Sequence, residues 1–242
     1  MKFQYVSDLH LEISKTLPNI QRQAPNLILA GDVGIPTQDI YDKFLKYVSD
    51  QFETVFIITG NHEYYQKHEK GLYMNQIDEL IREICGRLGN VYFLQNDTFL
   101  FGRDICIFGG TLWSKITKEE QNTVECFISD YRMIPKLSVE KSCKLHEESV
   151  QKLQDALSLY SDRRFVIICH HIPKLSLVLP KYRGSSLNSA FASDVACMDT
   201  DQIIAVVYGH THVGSIQGKF YCNPIGYPGE NETIKYNSTF EI

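Results

Sequence analysis

Five short apolar segments of this chain each run into a compact polar block, and that repetition constrains the fold more than any other feature. Phe3-Gln4-Tyr5-Val6-Ser7 leads into Asp8-Leu9-His10, Leu27-Ile28-Leu29-Ala30 into Gly31-Asp32, and Val55-Phe56-Ile57-Ile58-Thr59 into Gly60-Asn61-His62-Glu63. Phe165-Val166-Ile167-Ile168-Cys169 leads into His170-His171, and Ile203-Ile204-Ala205-Val206-Val207-Tyr208 into Gly209-His210-Thr211-His212. Runs of this length, rich in β-branched and aromatic residues and stopped by Gly or a charge, read as buried strands. Between the first three, Ile40, Phe44, Leu45 and Val48 fall on one helical face, and Ile77, Leu80, Ile81 and Ile84 form the stripe of a helix from Leu72 to Leu88. Strand and helix in alternation imply a parallel sheet covered by helices, and such sheets gather their functional groups at the carboxyl ends of the strands.

The middle of the chain changes character. Val91 to Leu94, Thr98 to Phe101 and Ile105 to Phe108 are short strands separated by Asn96-Asp97 and Gly102-Arg103-Asp104, the pattern of an antiparallel meander. Thr37 is placed to cap the first helix, Thr111 to Lys136 reads as irregular, and Ser138 to Tyr160 as a long helix. Ile172 to Asp199 is too long for a plain connection and is expected to be a lid or substrate loop. No repeat or linker divides the chain, so one domain over residues 1–242 is expected.

Six of the eight histidines, all but His68 and His146, lie in the terminal blocks. The blocks offer imidazole, carboxylate and one amide, a set that suits Mn, Fe, Zn or Ni and is too rich in nitrogen for Ca. Asp8 and His10, two residues apart, would share a face if the extended backbone continues past Ser7. Seven candidate ligands exceed what one ion can take, so two ions are expected, with a carboxylate such as Asp32 able to bridge them and a bridging hydroxide as nucleophile. Glycines before Asp32, Asn61 and His210 allow close approach of the backbone.

Composition narrows the partners. A net charge of -5 and a pI near 5.9 argue against long nucleic acid or an anionic membrane, which demand clustered Lys and Arg. Seven scattered cysteines with no close pairing fit reduced thiols. With a strand starting after Lys2 and no apolar run near the ~20 residues of a membrane span, the expectation is a cytoplasmic protein without leader or membrane segment.

In their order, these blocks resemble the calcineurin-like metallophosphoesterase superfamily, whose pattern is Asp-x-His, Gly-Asp, Gly-Asn-His-Asp/Glu, His and Gly-His-x-His. All five are present between Asp8 and His212. The resemblance implies an α/β fold, a four-layer α/β/β/α sandwich of two mixed β-sheets flanked by helices, with a dinuclear site along one edge. It puts Asp8, His10, Asp32 and His212 on one metal and Asp32, Asn61, His170 and His210 on the other, with Asp32 bridging and His62 as the catalytic histidine that helps the leaving oxygen depart. The cofactors implied are two divalent or trivalent transition-metal ions, Mn, Fe or Zn.

One departure stands out. Many members carry an Asp three positions after the bridging Asp to orient the catalytic histidine, and here that position is Ile35, so the orienter of His62 is unidentified. The chain also lacks the Asp-Arg-Gly of Ser/Thr protein phosphatases, whose arginines grip phosphate bidentately. Arg132, His171 and Arg183 are candidate substrate contacts in their place, and Tyr64, Tyr65 and Trp113 candidate stacking partners for a base. His171, adjacent to His170 on a strand, points away from it, and packing is as open to it as substrate contact. The function expected is hydrolysis of a small phosphomonoester or phosphodiester, a nucleotide included. The alternatives are a nuclease or nucleotide phosphodiesterase and a non-catalytic scaffold of the same fold.

Overall fold

The computed structural model describes residues 1–66, 71–231 and 235–242; His68 lies outside them. In chain order the elements are β1 (Lys2–Val6), α1 (Leu11–Ser14), β2 (Asn26–Ala30), α2 (Asp39–Ser49), β3 (Thr54–Ile58), α3 (Met74–Gly86), β4 (Val91–Phe93), β5 (Asp97–Phe101) and β6 (Ile105–Gly110). They continue with α4 (Gln121–Phe127), α5 (Asp130–Met133), α6 (Val139–Leu159), β7 (Arg164–Cys169), β8 (Ile203–Tyr208), β9 (Ser215–Gln217), β10 (Phe220–Cys222) and β11 (Thr239–Glu241).

The strands form two mixed sheets, ordered β11-β1-β2-β3-β4 and β5-β6-β7-β8-β10-β9. In the first, β1 to β4 run parallel and β11 antiparallel; in the second, β6, β7, β8 and β10 run parallel and the two outer strands antiparallel. Alternation along each strand sorts the side chains into layers. Phe3, Tyr5, Ile28 and Phe56 from one sheet meet Ile107, Val166, Ile168 and Val207 from the other in an inter-sheet core. The opposite faces, Leu27, Leu29, Val55 and Ile57 on the first sheet, receive Tyr41, Phe44, Leu45 and Val48 of α2 and Ile77, Ile81 and Ile84 of α3. Cys106, Phe165, Ile167 and Cys169 of the second sheet receive Leu153 and Leu157 of α6. This is the α/β/β/α sandwich that the block order implied.

Three local expectations change. Val91–Phe93 does not belong to a meander; it pairs in parallel with Val55–Ile57 as the last strand of the first sheet. Asn96, in the left-handed region at φ 57, turns the chain from that sheet into the other, where only β5 and β6 form a hairpin. The stretch read as irregular holds α4 and α5. Thr37 does not cap α2, which starts after Gln38 without a side-chain cap, whereas Ser138 accepts from the Lys141 amide and caps α6 as its sequence suggests. The connection from 172 to 199 is organised as four short 3-10 turns laid over the carboxyl edge of the second sheet.

Candidate functional site

The carboxyl ends of β1, β2, β3, β7 and β8 converge on one edge, and there the strand geometry stops. β1 ends at Val6, and Asp8 and His10 both take left-handed backbone, φ 55 and 45, as do Asp32, His210 and His212 at φ 53, 69 and 50. Asp8 and His10 therefore meet because the chain turns, with the amides of Asp8 and His10 held by the carbonyls of Gly31 and Asp32, not because an extended strand continues. Such conformations cost on the order of 1–3 kcal/mol each and persist where the surroundings hold them. The glycines do what close approach requires: a Cβ on Gly31, itself at φ +85, would lie 2.6 Å from His170 Nδ1, and one on Gly60 would lie 2.7 Å from His170 Nε2.

Three groups of donor atoms gather on this edge: Asp8, His10 and His212; His10, Asp32 and His62; and Asp32, His170 and His210. Asp32 Oδ2 lies 3.3 Å from His170 Nε2 and 3.9 Å from His10 Nε2, so one carboxylate faces both sides. Its other oxygen accepts from the His62 amide at 2.8 Å. Asp8 is held by the His210 amide and by the Ser7 hydroxyl. Asp8 and Asp32 are buried; desolvation alone would raise both carboxyls, but the surrounding imidazoles hold them below the usual carboxylate range.

The hydrogen bonds of the imidazoles determine which nitrogens carry lone pairs. A carboxylate can only accept, so His10 Nδ1 donates to Glu12 at 3.2 Å and His212 Nδ1 donates to Glu230 at 2.7 Å. In the neutral rings both Nε2 atoms are then acceptors, yet they face each other at 3.0 Å, with Asp8 Oδ1 3.5 Å from His212 Nε2. Two lone pairs and carboxylates aimed at one point repel unless a cation lies between them. On the other side, His170 Nδ1 donates to the Ala30 carbonyl at 2.9 Å and leaves its Nε2 buried without a partner. Asn61 shows the same: its amide nitrogen donates to Asp130 at 2.9 Å and its Oδ1 is buried and unpaired. Orphaned buried acceptors are costly, and His170 gathers with Asp32 and His210 in one donor group, so the donor set fits a second cation.

His62 sits at the lip of this cluster, its ring stacked on Tyr65 at 4.2 Å. Nδ1 donates to Glu12 at 2.9 Å, and Nε2 lies 3.2 Å from the Tyr227 hydroxyl. Burial would lower this imidazolium, but Asp32 and Glu12 hold it up at about 9 in the metal-free chain. Glu63 accepts from the amides of Asp32, Val33 and Gly60 and locks the two block turns together.

A cavity of about 480 Å³ opens over Asp32, Asn61, His62, His210 and His212. Its walls come from Tyr65, from Phe127 and Asp130 of the middle region, from Tyr227 and Glu230 of the tail, and from the 172–199 connection through Val178, Tyr182, Leu187 and Phe191. That connection is thus a wall of the site. Among the described residues, no Lys or Arg lines the cavity. Arg132 donates instead to the Cys126 carbonyl, Arg183 is exposed, and neither lines the cavity. His171 is buried beneath His210, stacked on it at 4.4 Å and hydrogen-bonded to Ser114, and is screened from the cavity. Tyr64 and Trp113 are buried and stack on each other.

A family model described as calcineurin-like phosphoesterase matches residues 1–214. This chain belongs to the calcineurin-like phosphoesterase family. It is 30% identical over 249 residues to an uncharacterised protein of Acanthamoeba polyphaga mimivirus, covering 92% of this chain and 87% of that one. Among solved structures it is similar to the phosphopantetheinyl hydrolase of Mycobacterium tuberculosis, with a TM-score of 0.75, 19% identity, and coverage of 94% of this chain and 90% of that one. It is also similar to a candidate 5′-nucleotidase of Staphylococcus aureus, with a TM-score of 0.52 and 16% identity over 93% of this chain and 48% of that one. At these identities the structural likenesses establish the fold. The family implies divalent metal ions and a phosphoester hydrolase. No helix of the described residues is long and apolar enough to cross a membrane.

Sequence reasoning missed four contributors: Glu12, Asp130, Tyr227 and Glu230. Glu12 continues the first block at the spacing Asp-x-His-x-Glu, the one signal that could have marked it. The other three come from segments with no periodicity and reach the edge only through tertiary folding.

Proposed function

We propose that this protein is a dinuclear metal-dependent phosphoesterase acting on small phosphomonoesters or phosphodiesters. Asp8, His10, Asp32 and His212 would hold one ion, and Asp32, Asn61, His170 and His210 the other. The observation that carries the reading is the pair of facing acceptors, His10 Nε2 and His212 Nε2 at 3.0 Å, beside the orphaned Nε2 of His170 and Oδ1 of Asn61. Nitrogen and oxygen donors without thiolate suit Mn, Fe or Zn. Two such ions supply Lewis acidity toward the phosphoryl oxygens and an activated water at neutral pH.

The chain's own residues do the remainder. The cavity wall orients the ester with its phosphoryl group toward Asp32 and Asn61. As water attacks phosphorus in line and gives up one proton to solvent, the bond from phosphorus to the ester oxygen breaks and its electron pair passes to that oxygen. The His62 Nε2 proton transfers to the same oxygen, leaving a neutral imidazole with Nδ1–H still donated to Glu12. The Tyr227 hydroxyl, 3.2 Å from Nε2, occupies the place where that oxygen would arrive and is displaced or shared on binding.

With no Lys or Arg among the described residues of the wall, the charge of one phosphoryl group is met at the metal edge, and the alcohol part of the ester faces Val178, Leu187, Phe191, Tyr182 and Phe127. That favours a small ester with one phosphoryl group and an apolar or aromatic alcohol. The second reading is a nucleotide, which Tyr65 and Phe191 could stack. Long nucleic acid is disfavoured by the net charge of -5 and by a wall on which, among the described residues, no Lys or Arg stands.

A panel of aryl monoester, aryl diester, cyclic nucleotides and single-stranded DNA, run with Mn, separates these. Turnover of a small ester and none of DNA supports the proposal. Absence of turnover on the whole panel, with metal bound, returns the protein to the scaffold reading.

A further inference from the structure

Where many family members carry an Asp to orient the catalytic histidine, this chain has Ile35, an apolar residue that cannot accept a proton-bearing nitrogen. We propose that Glu12 has taken over that task from a different segment, and that it positions His62 and His10 through a single oxygen. The inference rests on the assignment of His62 as the proton donor.

Glu12 Oε1 accepts from His62 Nδ1 at 2.9 Å and from His10 Nδ1 at 3.2 Å. Its side chain is 9% exposed, so both contacts are made out of bulk water, where a charged acceptor is worth more than on the surface. The other oxygen, Oε2, is buried and has no hydrogen-bond partner among the described residues, so the two imidazoles are the side chains that hold the carboxylate there. The placement has a backbone cause. Left-handed turns at Asp8 and His10 end the strand and start α1 at Leu11, so that Glu12 in its first turn folds back over the block it follows.

Two consequences follow for His62. With Nδ1–H fixed on Glu12, the nitrogen facing the cavity is Nε2 in every protonation state, which is the geometry a general acid needs. The ring orientation is also fixed, between Glu12 on one edge and the Tyr65 face 4.2 Å away. Because the same oxygen receives the Nδ1–H of His10, the carboxylate ties the proton donor to a metal-binding imidazole. Carboxylate partners of this kind set the tautomer and basicity of the ring they hold. Glu12 touches neither substrate nor the reacting atoms and is a positioning residue.

The test compares wild type, Glu12→Ala and the isosteric Glu12→Gln at saturating Mn on two esters of one class. One has a 4-nitrophenyl leaving group, which departs without needing a proton, and one a phenyl leaving group, which does need it. Glu12→Ala is expected to lower kcat by ~100-fold on the phenyl ester and by at least ~10-fold less on the nitrophenyl ester, as expected for losing proton donation. Glu12→Gln, which keeps an acceptor oxygen, is expected to fall between. Equal losses on both esters, or no loss, overturn the proposal. The second readout needs no turnover: long-range 1H–15N correlation of the metal-free wild type should show His62 protonated at Nδ1, and Glu12→Ala should shift the ring toward the Nε2–H tautomer. A wild-type His62 unprotonated at Nδ1 also overturns it. If the wild type hydrolyses no ester, the phosphoesterase reading fails, and the tautomer measurement still decides the role of Glu12.

Discussion

Replacing Gly60 by Ala adds one methyl group at the point where three strand ends meet. The added Cβ would lie 2.7 Å from His170 Nε2 and 2.8 Å from Asp32 Cγ, against the 3.4 Å or more of ordinary contact. Both neighbours are buried and hydrogen-bonded, His170 to the Ala30 carbonyl and Asp32 to the His62 amide, so neither can swing away freely. Overpacking of this kind costs about 1–3 kcal/mol. At ~2–4 °C per kcal/mol for a chain of this size, the melting temperature of the metal-free protein should fall by about 3–10 °C. Relief by sub-ångström displacement of Asp32 and His170 should also weaken metal binding and lower kcat/KM by ~100-fold, the usual consequence of misplacing a reacting group by an ångström. Differential scanning calorimetry and elemental analysis measure both. Gly86→Ala is the control, because a Cβ there meets nothing within 4 Å and the residue ends helix α3. It should stabilise by about 0.4–1 kcal/mol through the unfolded chain. Wild-type melting and metal content in Gly60→Ala, or equal destabilisation by Gly86→Ala, would refute the packing argument.

Other perturbations probe single links. His62→Ala should keep both metals and lose ~100-fold or more in turnover, since only the proton donor is removed; loss of metal in that variant would move His62 into the ligand set. Asp130→Ala frees the Asn61 amide and the Tyr65 hydroxyl, which donate to it at 2.9 and 2.7 Å, and should weaken metal affinity by ~10–100-fold, read by titration against a chelator. Asp78 accepts from the Tyr64 hydroxyl at 2.7 Å, and burial raises its pKa from 3.8 to about 6. The folded state therefore binds its proton more tightly than the unfolded state, and ionisation costs stability progressively from pH 3.8 to about 6. Asp78→Asn, which still accepts from Tyr64, should be more stable than wild type by about 3 kcal/mol above that window and lose the advantage below it, as urea melts at pH 4 and 7 would register.

The site was legible in the sequence to the extent that its donors sit in strand-end blocks. Asp8, His10, Asp32, Asn61, His62, His170, His210 and His212 arrive together because parallel strands bring their carboxyl ends to one edge. The reason first available for pairing Asp8 with His10 was wrong: alternation along a strand does not join them, left-handed turns do. Nothing in local pattern announces those turns, because they are imposed by hydrogen bonds to the next strand, from the Asp8 and His10 amides to the Gly31 and Asp32 carbonyls. Asp130, Tyr227 and Glu230 were invisible for a related reason. They come from short helices and loops without apolar period, and what makes them functional is a partner 18 to 165 residues away in the chain. The same physics explains the misassignment of Val91–Phe93. Three apolar residues carry no orientation, and only α3, packed on the first sheet, returns the chain parallel to β3. Arg132 and Arg183 lie outside the cavity lining, because closeness to a motif in sequence does not fix closeness to the site in space.

Two cations sharing Asp32 are the centre of the proposed site. Elemental analysis of protein saturated with Mn and freed of excess metal, wild type beside Asp32→Asn, tests this most directly. Two ions per chain in the wild type and loss of both from the variant is the predicted result, since Asp32 Oδ2 faces His10 on one side and His170 on the other. A single ion in the wild type, or full occupancy in Asp32→Asn, would contradict it.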